Sequence, residues 1–253
     1  MISSINPAST TDPSALRGQA AIVTGAGRGI GRSIALALAA AGARVVLTAR
    51  SADELDAVRH AIEEAGGEAV SVPADLAREP DIVSLPEAAL ELFGRLDILV
   101  NNAGFGHYGP MEESTTAQWE ETLAVNARAP YQLCREAIPH LRKQEISFIV
   151  NIGSVVSVKG YSDQAIYTAS KHALMGLSKS LAKEVQKDNI RVHVVCPGGV
   201  DTDLVARARP DLDRSTLMQP DEIADIVLFL VTRRGNAVID EIHVRRSTST
   251  PFA

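Results

Sequence analysis

Tyr167 and Lys171 stand four positions apart in the run YTASK, inside a stretch whose composition reads as helix. Four residues make about one helical turn, so the phenol and the ammonium share a face. Both groups ordinarily titrate near pH 10, about three units above neutrality. A fixed ammonium beside a phenol favours the phenolate and lowers its pKa, toward the range in which a general acid works at neutral pH. A shift of two to three units corresponds to about 3 to 4 kcal/mol of differential interaction, which an ammonium in a partly dry cleft can supply. Taken alone, the pair reads equally well as a tyrosine beside a solvated lysine. Ser154 changes that balance, because it follows the strand-like run SFIVNIG (147–153) and so belongs at the carboxyl end of a sheet, where its hydroxyl can polarise a substrate oxygen.

The run TGAGRGIG (24–31) adds a second kind of chemistry. Read as G-x-G-x-x-G from Gly25 it fails, because Ile30 takes the third glycine position. It fits G-x-x-x-G-x-G through Gly25, Gly29 and Gly31, with Gly27 between them. Glycines after a strand allow a tight turn and close backbone approach, and the helix that follows presents free N–H groups to a pyrophosphate. A tight strand-to-helix turn needs glycine as well, so the run gains weight from its place at the first strand. Choice of dinucleotide falls at the end of the second strand, where a carboxylate would accept the 2'-hydroxyl of NAD. That place reads Ala49-Arg50. With Arg28 in the turn and Arg50 nearby, the site suits a 2'-phosphate, and NADP(H) is expected over NAD(H). Asp53 and Glu54 lie close by, but helix capping accounts for them.

These residues need a scaffold, and the rest of the chain describes one. β-Branched runs at 20–24, 44–49, 68–74, 96–101, 147–153, 190–196 and 238–244 alternate with Ala-, Leu- and Glu-rich segments. This is the rhythm of βαβ units, and it predicts a Rossmann-like, doubly wound α/β fold: one domain over 17–253 with a seven-stranded parallel sheet and helices on both faces. Residues 51–65 open on Ser51 with Glu54 three positions on, a capping box, and close at Gly66-Gly67. Over 163–186, Ala165, Ala169, Ala173, Leu177, Leu181 and Val185 recur every four residues, an apolar stripe to dock on the sheet. Pro86 marks a first turn or kink in the helix before Phe93. Residues 1–16, rich in Ser, Thr and Pro over their first fourteen positions, read as a flexible extension.

Composition narrows the function classes. The chain of 253 residues is 45% hydrophobic and carries a formal charge of −6, with its 25 Lys and Arg scattered. A nucleic-acid partner is therefore not expected. No apolar run approaches the roughly 18 residues of a membrane span, and the first residues lack the basic and apolar regions of a signal peptide, so a soluble cytoplasmic protein is expected. Cys134 and Cys196 lack the neighbours of a zinc site and read as buried structural thiols; no metal is expected.

Together TGAGRGIG, NNAG (101–104), Asn126, Ser154, YTASK and PGGVDT (197–202) resemble the short-chain dehydrogenase/reductase family over nearly the whole chain after Leu16. The resemblance implies hydride transfer between a nicotinamide and a carbonyl or alcohol carbon, with Asn126, Ser154, Tyr167 and Lys171 as the catalytic set. Tyr167 would protonate the alkoxide left by hydride delivery, helped by Lys171 and by the cationic ring of the oxidised cofactor. Asn126 would anchor a water linking Lys171 to solvent, although a polar residue inside a helix can simply satisfy a backbone group. Asp75 and Leu76 would meet the adenine, though Asp75 could equally cap the next helix. Asn101 and Ala103 would lie beneath the adenosine, and Val200 and Thr202 would contact the carboxamide.

By the same likeness the substrate pocket takes His107 (as a wall rather than a metal ligand or base), Tyr108, Val155, Val156, Tyr161 and a lid from Asp203 to Met218 carrying Arg207, Arg209 and Arg214. An anionic or carrier-bound acyl substrate would suit those arginines, which exposed lid positions also explain unaided. The nearest specific activity is reduction of a 3-oxoacyl thioester; a catalytically silent NADP(H) sensor is the alternative, disfavoured by the intact Ser, Tyr and Lys. The final strand departs from the Asp-Gly-Gly ending of many relatives and runs instead into a basic tail. A homodimer or homotetramer is still expected, through the helices over 116–140 and 163–186.

Overall fold

The computed structural model describes residues 13–208 and 213–251, with only the backbone given for 207 and 208. Most of the expected extension (1–12) and part of the expected lid (209–212, with Arg209) lie outside the described residues. Leu16 is fully buried and its N–H binds the carbonyl of Ala41, so a hydrophobic plug begins before position 17.

Seven parallel strands form one sheet: β1 Ala20–Thr24, β2 Arg44–Thr48, β3 Glu68–Ser71, β4 Ile98–Asn101, β5 Ser147–Ile152, β6 Ile190–Pro197 and β7 Glu241–Val244. Their order is β3-β2-β1-β4-β5-β6-β7. Both faces are covered, which is why the strands read as continuous apolar runs. Alternate residues go to opposite cores. Val23, Val45, Val100 and Val150 meet helices α1 (Gly29–Ala40), α2 (Ala52–Glu64) and α8 (Pro220–Thr232). Ile22, Val46, Leu99 and Ile149 meet α3 (Glu79–Phe93), α5 (Ala129–Leu141) and α6 (Ala165–Val185). The chain reverses its direction of winding between β1 and β4, and the carboxyl ends of those strands are where open sheets of this kind bind ligands. No described helix is long and apolar enough to cross a membrane.

Several local expectations need correction. β3 ends at Ser71, although Val72 and Ala74 continue to bind the carbonyls of Leu47 and Ala49. β7 begins at Glu241, after Val238 and Ile239, which are exposed. Pro86 is a buried interior residue of α3, and Pro80 takes the first-turn position instead. Ser51 caps α2 through the N–H of Glu54 at 3.3 Å, but the Glu54 side chain turns to the glycine-rich turn rather than back to Ser51.

The proposed stripe on α6 is the largest correction. Ala165 and Ala173 are exposed, and the buried face runs through Ile166, Ser170, Leu174, Ser178, Leu181 and Val185. Steps of four advance the side chain by about 40° beyond a full turn, so five such steps carry a row to the opposite side of the helix. The expected helix over 116–140 is interrupted: α4 (Thr116–Leu123) passes through a π-helical turn, Ala124–Arg128, into α5. Such turns often mark functional sites.

Candidate active site

A cleft of about 1950 Å³ opens over the carboxyl ends of the sheet. Pockets for drug-sized ligands are roughly 300–1,000 Å³, so the cleft has room for a dinucleotide and a second molecule. Its floor is welded by Thr24, whose hydroxyl donates to the carbonyl of Val100 and accepts the N–H groups of Asn102 and Ala103, the latter two at 2.9 Å. Asn102 in turn donates to the carbonyls of Thr24 and Gly25.

The glycine-rich turn fits a nucleotide's phosphates on its own geometry. Gly25 has φ of 65°, and a Cβ there would lie 2.9 Å from Asn102 Nδ2. At Gly31 a Cβ would collide with the carbonyl oxygen of Gly25, so that glycine lets α1 sit against the turn; it is buried behind the cleft. Gly25, Gly27, Gly29, Arg28 and Ile30 line the opening. Arg28, the N-cap of α1, places no side chain on the helix's free N–H groups, which leaves them for a ligand.

The two arginines expected at the adenosine end differ. Arg28 is 3.2 Å from Asp203 and 3.8 Å from Glu54, an exposed pair of contacts joining the turn to the lid. Arg50 lines the cleft, exposed, with no carboxylate partner among the described residues. Asp75 and Leu76 also line it; the Asp75 carboxylate accepts the N–H of Ala77 at 3.0 Å, a local turn, whereas α3 is capped from Arg78 without a side chain.

Asn101 does not line the cleft. It is buried, and its Nδ2 donates to Asn151 Oδ1 at 2.8 Å; Asn151 Nδ2 donates to Ser178 Oγ at 2.8 Å, and Ser178 to the carbonyl of Leu174. Strand alternation turns Asn101 inward, and Asn102 and Ala103 face the opening. This ladder ties β4, β5 and α6 together. Asn151 and Ser178 were not singled out from sequence; their signal was an asparagine near the end of each of two apolar strands.

Ser154 follows Gly153 at the end of β5. Its hydroxyl oxygen accepts the N–H of Val156 at 3.3 Å, and its own N–H donates to Ser157 Oγ at 3.0 Å. Gly153 allows this packing, since a Cβ there would stand 2.8 Å from Ser157 Oγ. Tyr167 and Lys171 enter from the buried face of α6, at 8% and 4% exposure. Lys171 donates to the carbonyl of Ile152 at 2.8 Å, and its Nζ lies 5.9 Å from the centre of the Tyr167 ring.

The expected acidification of Tyr167 is absent here. Burial pushes the phenol up to about 12, opposed by the Ser154 hydroxyl, and burial pushes Lys171 down to about 8. Desolvation disfavours both charged forms, and the ammonium is directed at a backbone carbonyl rather than at the phenolic oxygen.

Asn126, wholly buried in the π-helical turn, accepts the N–H of Phe105 at 3.1 Å and donates to the Phe105 carbonyl and to Ser170 Oγ. Its side chain thus satisfies backbone groups and clips the loop after NNAG to α6. A Cβ on Gly104 would fall 3.2 Å from Asn126 Oδ1 and 3.4 Å from Lys171 Nζ.

Tyr108 lies against Tyr167, ring centres 5.7 Å apart, with burial raising its own phenol. Val155, Val156 and Tyr161 line the opening, Tyr161 beneath Lys159. His107 pairs with Glu121 at 3.2 Å, and no cluster of three His, Cys, Asp or Glu exists among the described residues. Cys134 and Cys196 are both buried, and burial raises both thiols. The segment expected as a lid opens with helix α7, Asp203–Ala208, and its described later part runs through Arg214–Thr216 to Met218, which bridges Val200. Thr202 abuts Gly29, where a Cβ would meet its methyl at 3.2 Å.

The family model described as short chain dehydrogenase matches residues 19–213. A 3-oxoacyl-[acyl-carrier-protein] reductase of Synechocystis sp. is 38% identical, covering 89% of this chain and 94% of its own. The uncharacterized oxidoreductase YxjF of Bacillus subtilis is 34% identical over 90% of this chain and 89% of its own. Among solved structures, a metagenomic short-chain oxidoreductase in complex with NADP superposes with a TM-score of 0.82 at 40% identity, covering 93% of this chain and all of that one. A short chain dehydrogenase of Burkholderia cenocepacia, also in complex with NADP, gives 0.85 at 35% identity, with 91% and 98% covered. This chain belongs to the short-chain dehydrogenase/reductase family of oxidoreductases.

Proposed function

We propose that the protein is an NADPH-dependent carbonyl reductase, interconverting a carbonyl and a secondary alcohol, with a 3-oxoacyl thioester as the nearest specific substrate. The observation that carries this reading is the convergence of Ser154, Tyr167 and Lys171, all buried, at the end of a cleft whose other end is a glycine cradle. The NADP-bound solved relatives, and an Arg50 with no carboxylate partner among the described residues, support the 2'-phosphate form of the cofactor. The name of the Synechocystis relative supports the thioester.

The glycine-rich turn and the cleft beyond it would hold a dihydronicotinamide dinucleotide, which when bound would supply the hydride for the carbonyl carbon as the π electron pair of the C=O bond shifts to oxygen. Ser154 donates a hydrogen bond to that oxygen, and Tyr167 gives it a proton, leaving a phenolate. Burial keeps Tyr167 protonated at neutral pH, the form a reduction needs at its start. Lys171 then stabilises the phenolate and resupplies its proton. Asn126 is a positioning residue in this scheme, fixing the Phe105 loop against α6. The water relay drawn from the family would sit beside its engaged side chain.

The face of α4, α5 and α6 that exposes Trp119, Tyr131 and Ala165 is the surface through which we expect a homodimer or homotetramer. The deciding assay follows NADPH absorbance with purified protein and a panel of ketones, diketones and 3-oxoacyl thioesters. Turnover on one class supports the reading; no turnover on any overturns it.

A further inference from the structure

We infer that Arg246, in the C-terminal tail, is a specificity residue that binds an anionic group on the carbonyl substrate. The inference rests on the reductase reading above and names the class of substrate it acts on.

The tail leaves β7 and forms part of the cleft wall. The Gly198 N–H donates to the carbonyl of Val244 at 2.7 Å. A Cβ on Gly198 would meet Val155 Cγ1 at 3.7 Å and Arg245 Cα at 3.8 Å, so the tail passes directly beside the residue that follows Ser154. It therefore shares a stretch of the cleft wall with the segment that follows Ser154.

Its two arginines have different work. Arg245 Nη1 donates to the carbonyls of Arg246, Ser247 and Ser249, at 3.1, 3.4 and 2.9 Å, which folds the tail back on itself. Arg246 is half-buried, and its only side-chain hydrogen bond among the described residues is a long one, 3.4 Å from Nη1 to Thr216 Oγ1. It has no carboxylate partner among those residues. The nearby lid cation is already neutralised, since Arg214 holds Asp201 at 2.7 and 2.8 Å. Gly199 makes room for the Arg246 stem: a Cβ there would stand 3.4 Å from its Cδ and 3.0 Å from Leu217 Cδ2.

A guanidinium carries five donors in a planar fork matched to carboxylate or phosphate. Among the described residues most of that fork at Arg246 has no acceptor, its backbone is pinned by its neighbour, and it lines a cleft in a protein of net charge −6. Val155, Tyr108 and Tyr161 provide apolar wall around the reacting centre. The substrate this describes has a carbonyl, an apolar spacer and a terminal anion. The anion can be the carboxylate of a free oxo acid or a phosphate on the pantetheine arm of an acyl thioester, and the two differ in which probe shows the effect.

The test compares kcat/KM with NADPH in matched pairs: methyl ketones with a terminal carboxylate, in a series of chain lengths, against their methyl esters; and acetoacetyl-coenzyme A against acetoacetyl-N-acetylcysteamine, which lacks phosphate. The parent should prefer the charged member of one pair. Arg246→Gln should cut that preference by about tenfold to a hundredfold, the range of a charge-assisted hydrogen bond, chiefly through KM. Arg246→Lys should restore part of it. An unchanged preference in Arg246→Gln, or an equal loss on charged and uncharged members, overturns the inference. Fluorescence titration of the NADPH complex with the same carboxylates separates the two readings. Binding that depends on Arg246 without any NADPH oxidation sustains the anion subsite and overturns the reductase; oxidation with a ratio indifferent to Arg246 does the reverse.

Discussion

Tyr167 and Lys171 share one dry pocket, and desolvation drives each toward its neutral form. Lys171, brought down to about 8 from an ordinary 10.5, is the more consequential. Its charge, needed to stabilise a phenolate, is present below about pH 8 and lost above. Reductive kcat/KM should therefore fall as pH rises through about 8, read from initial rates at saturating NADPH. The stability sign is opposite. A lysine with a depressed folded pKa destabilises the fold below that value, and the penalty disappears as pH rises from about 8 to 10.5. Lys171→Met should accordingly abolish turnover yet raise the unfolding free energy at pH 7 by about 1–2 kcal/mol, after allowing for the orphaned Ile152 carbonyl. Denaturant melts of both proteins at pH 7 and pH 10 check this; the gap should close at the higher pH. At the other end of the cleft, Arg50→Asp should weaken NADPH by about tenfold or more relative to NADH, as loss of a charge-assisted phosphate contact requires. Equal parental affinities for the two cofactors would contradict it.

At the scale of elements, the site depends on how α6 is fixed to the sheet. The Asn101–Asn151–Ser178 ladder does this with polar groups that have no access to water. Asn151→Ala would leave Asn101 Nδ2 with only Cys134 Sγ at 3.5 Å and Ser178 Oγ with only the carbonyl of Leu174, and should cost about 1–3 kcal/mol in all, with a loss of turnover from misplacing Tyr167 against Ser154. A chemical-denaturation curve unshifted by that change would remove the ladder from the account. These elements also show what sequence can and cannot carry. Strands β1 to β6, the glycine turn and the convergence of Ser154, Tyr167 and Lys171 on one cleft were legible, because each is written in a local period or a fixed spacing. The buried face of α6 was not, since two of its members are serines that only the ladder and the Asn126 clip explain. Asn101 was assigned to the cofactor because the motif names it, while the pleat of β4 points it away. The Tyr167 shift was misjudged for a similar reason: spacing showed a cation one turn away, but not that its hydrogen bond goes to Ile152 or how dry the pocket is.

For the whole molecule, one sheet supplies both halves of the candidate site, the glycine turn after β1 and the proposed reacting groups from β5 and α6. The segment after β6 and the tail add to the cleft wall, through Arg28 to Asp203 and through Gly199 to Arg246. The tail carries no site motif in the sequence, because its place in the cleft wall comes only from the pairing of β7 with β6. The outward face of α4 to α6 belongs to this scale too. Light scattering should give the mass of a dimer or tetramer, and Trp119→Glu should shift it toward a monomer; a monomeric parent at micromolar concentration would contradict this assembly. The most direct test of the central claim is single-turnover reduction by Tyr167→Phe, with NADPH binding followed in parallel by fluorescence. Loss of about 10²- to 10⁴-fold in the chemical step with cofactor binding retained is the predicted result, and a variant that kept its rate within a few-fold of the parent would contradict the assignment of Tyr167 as proton donor.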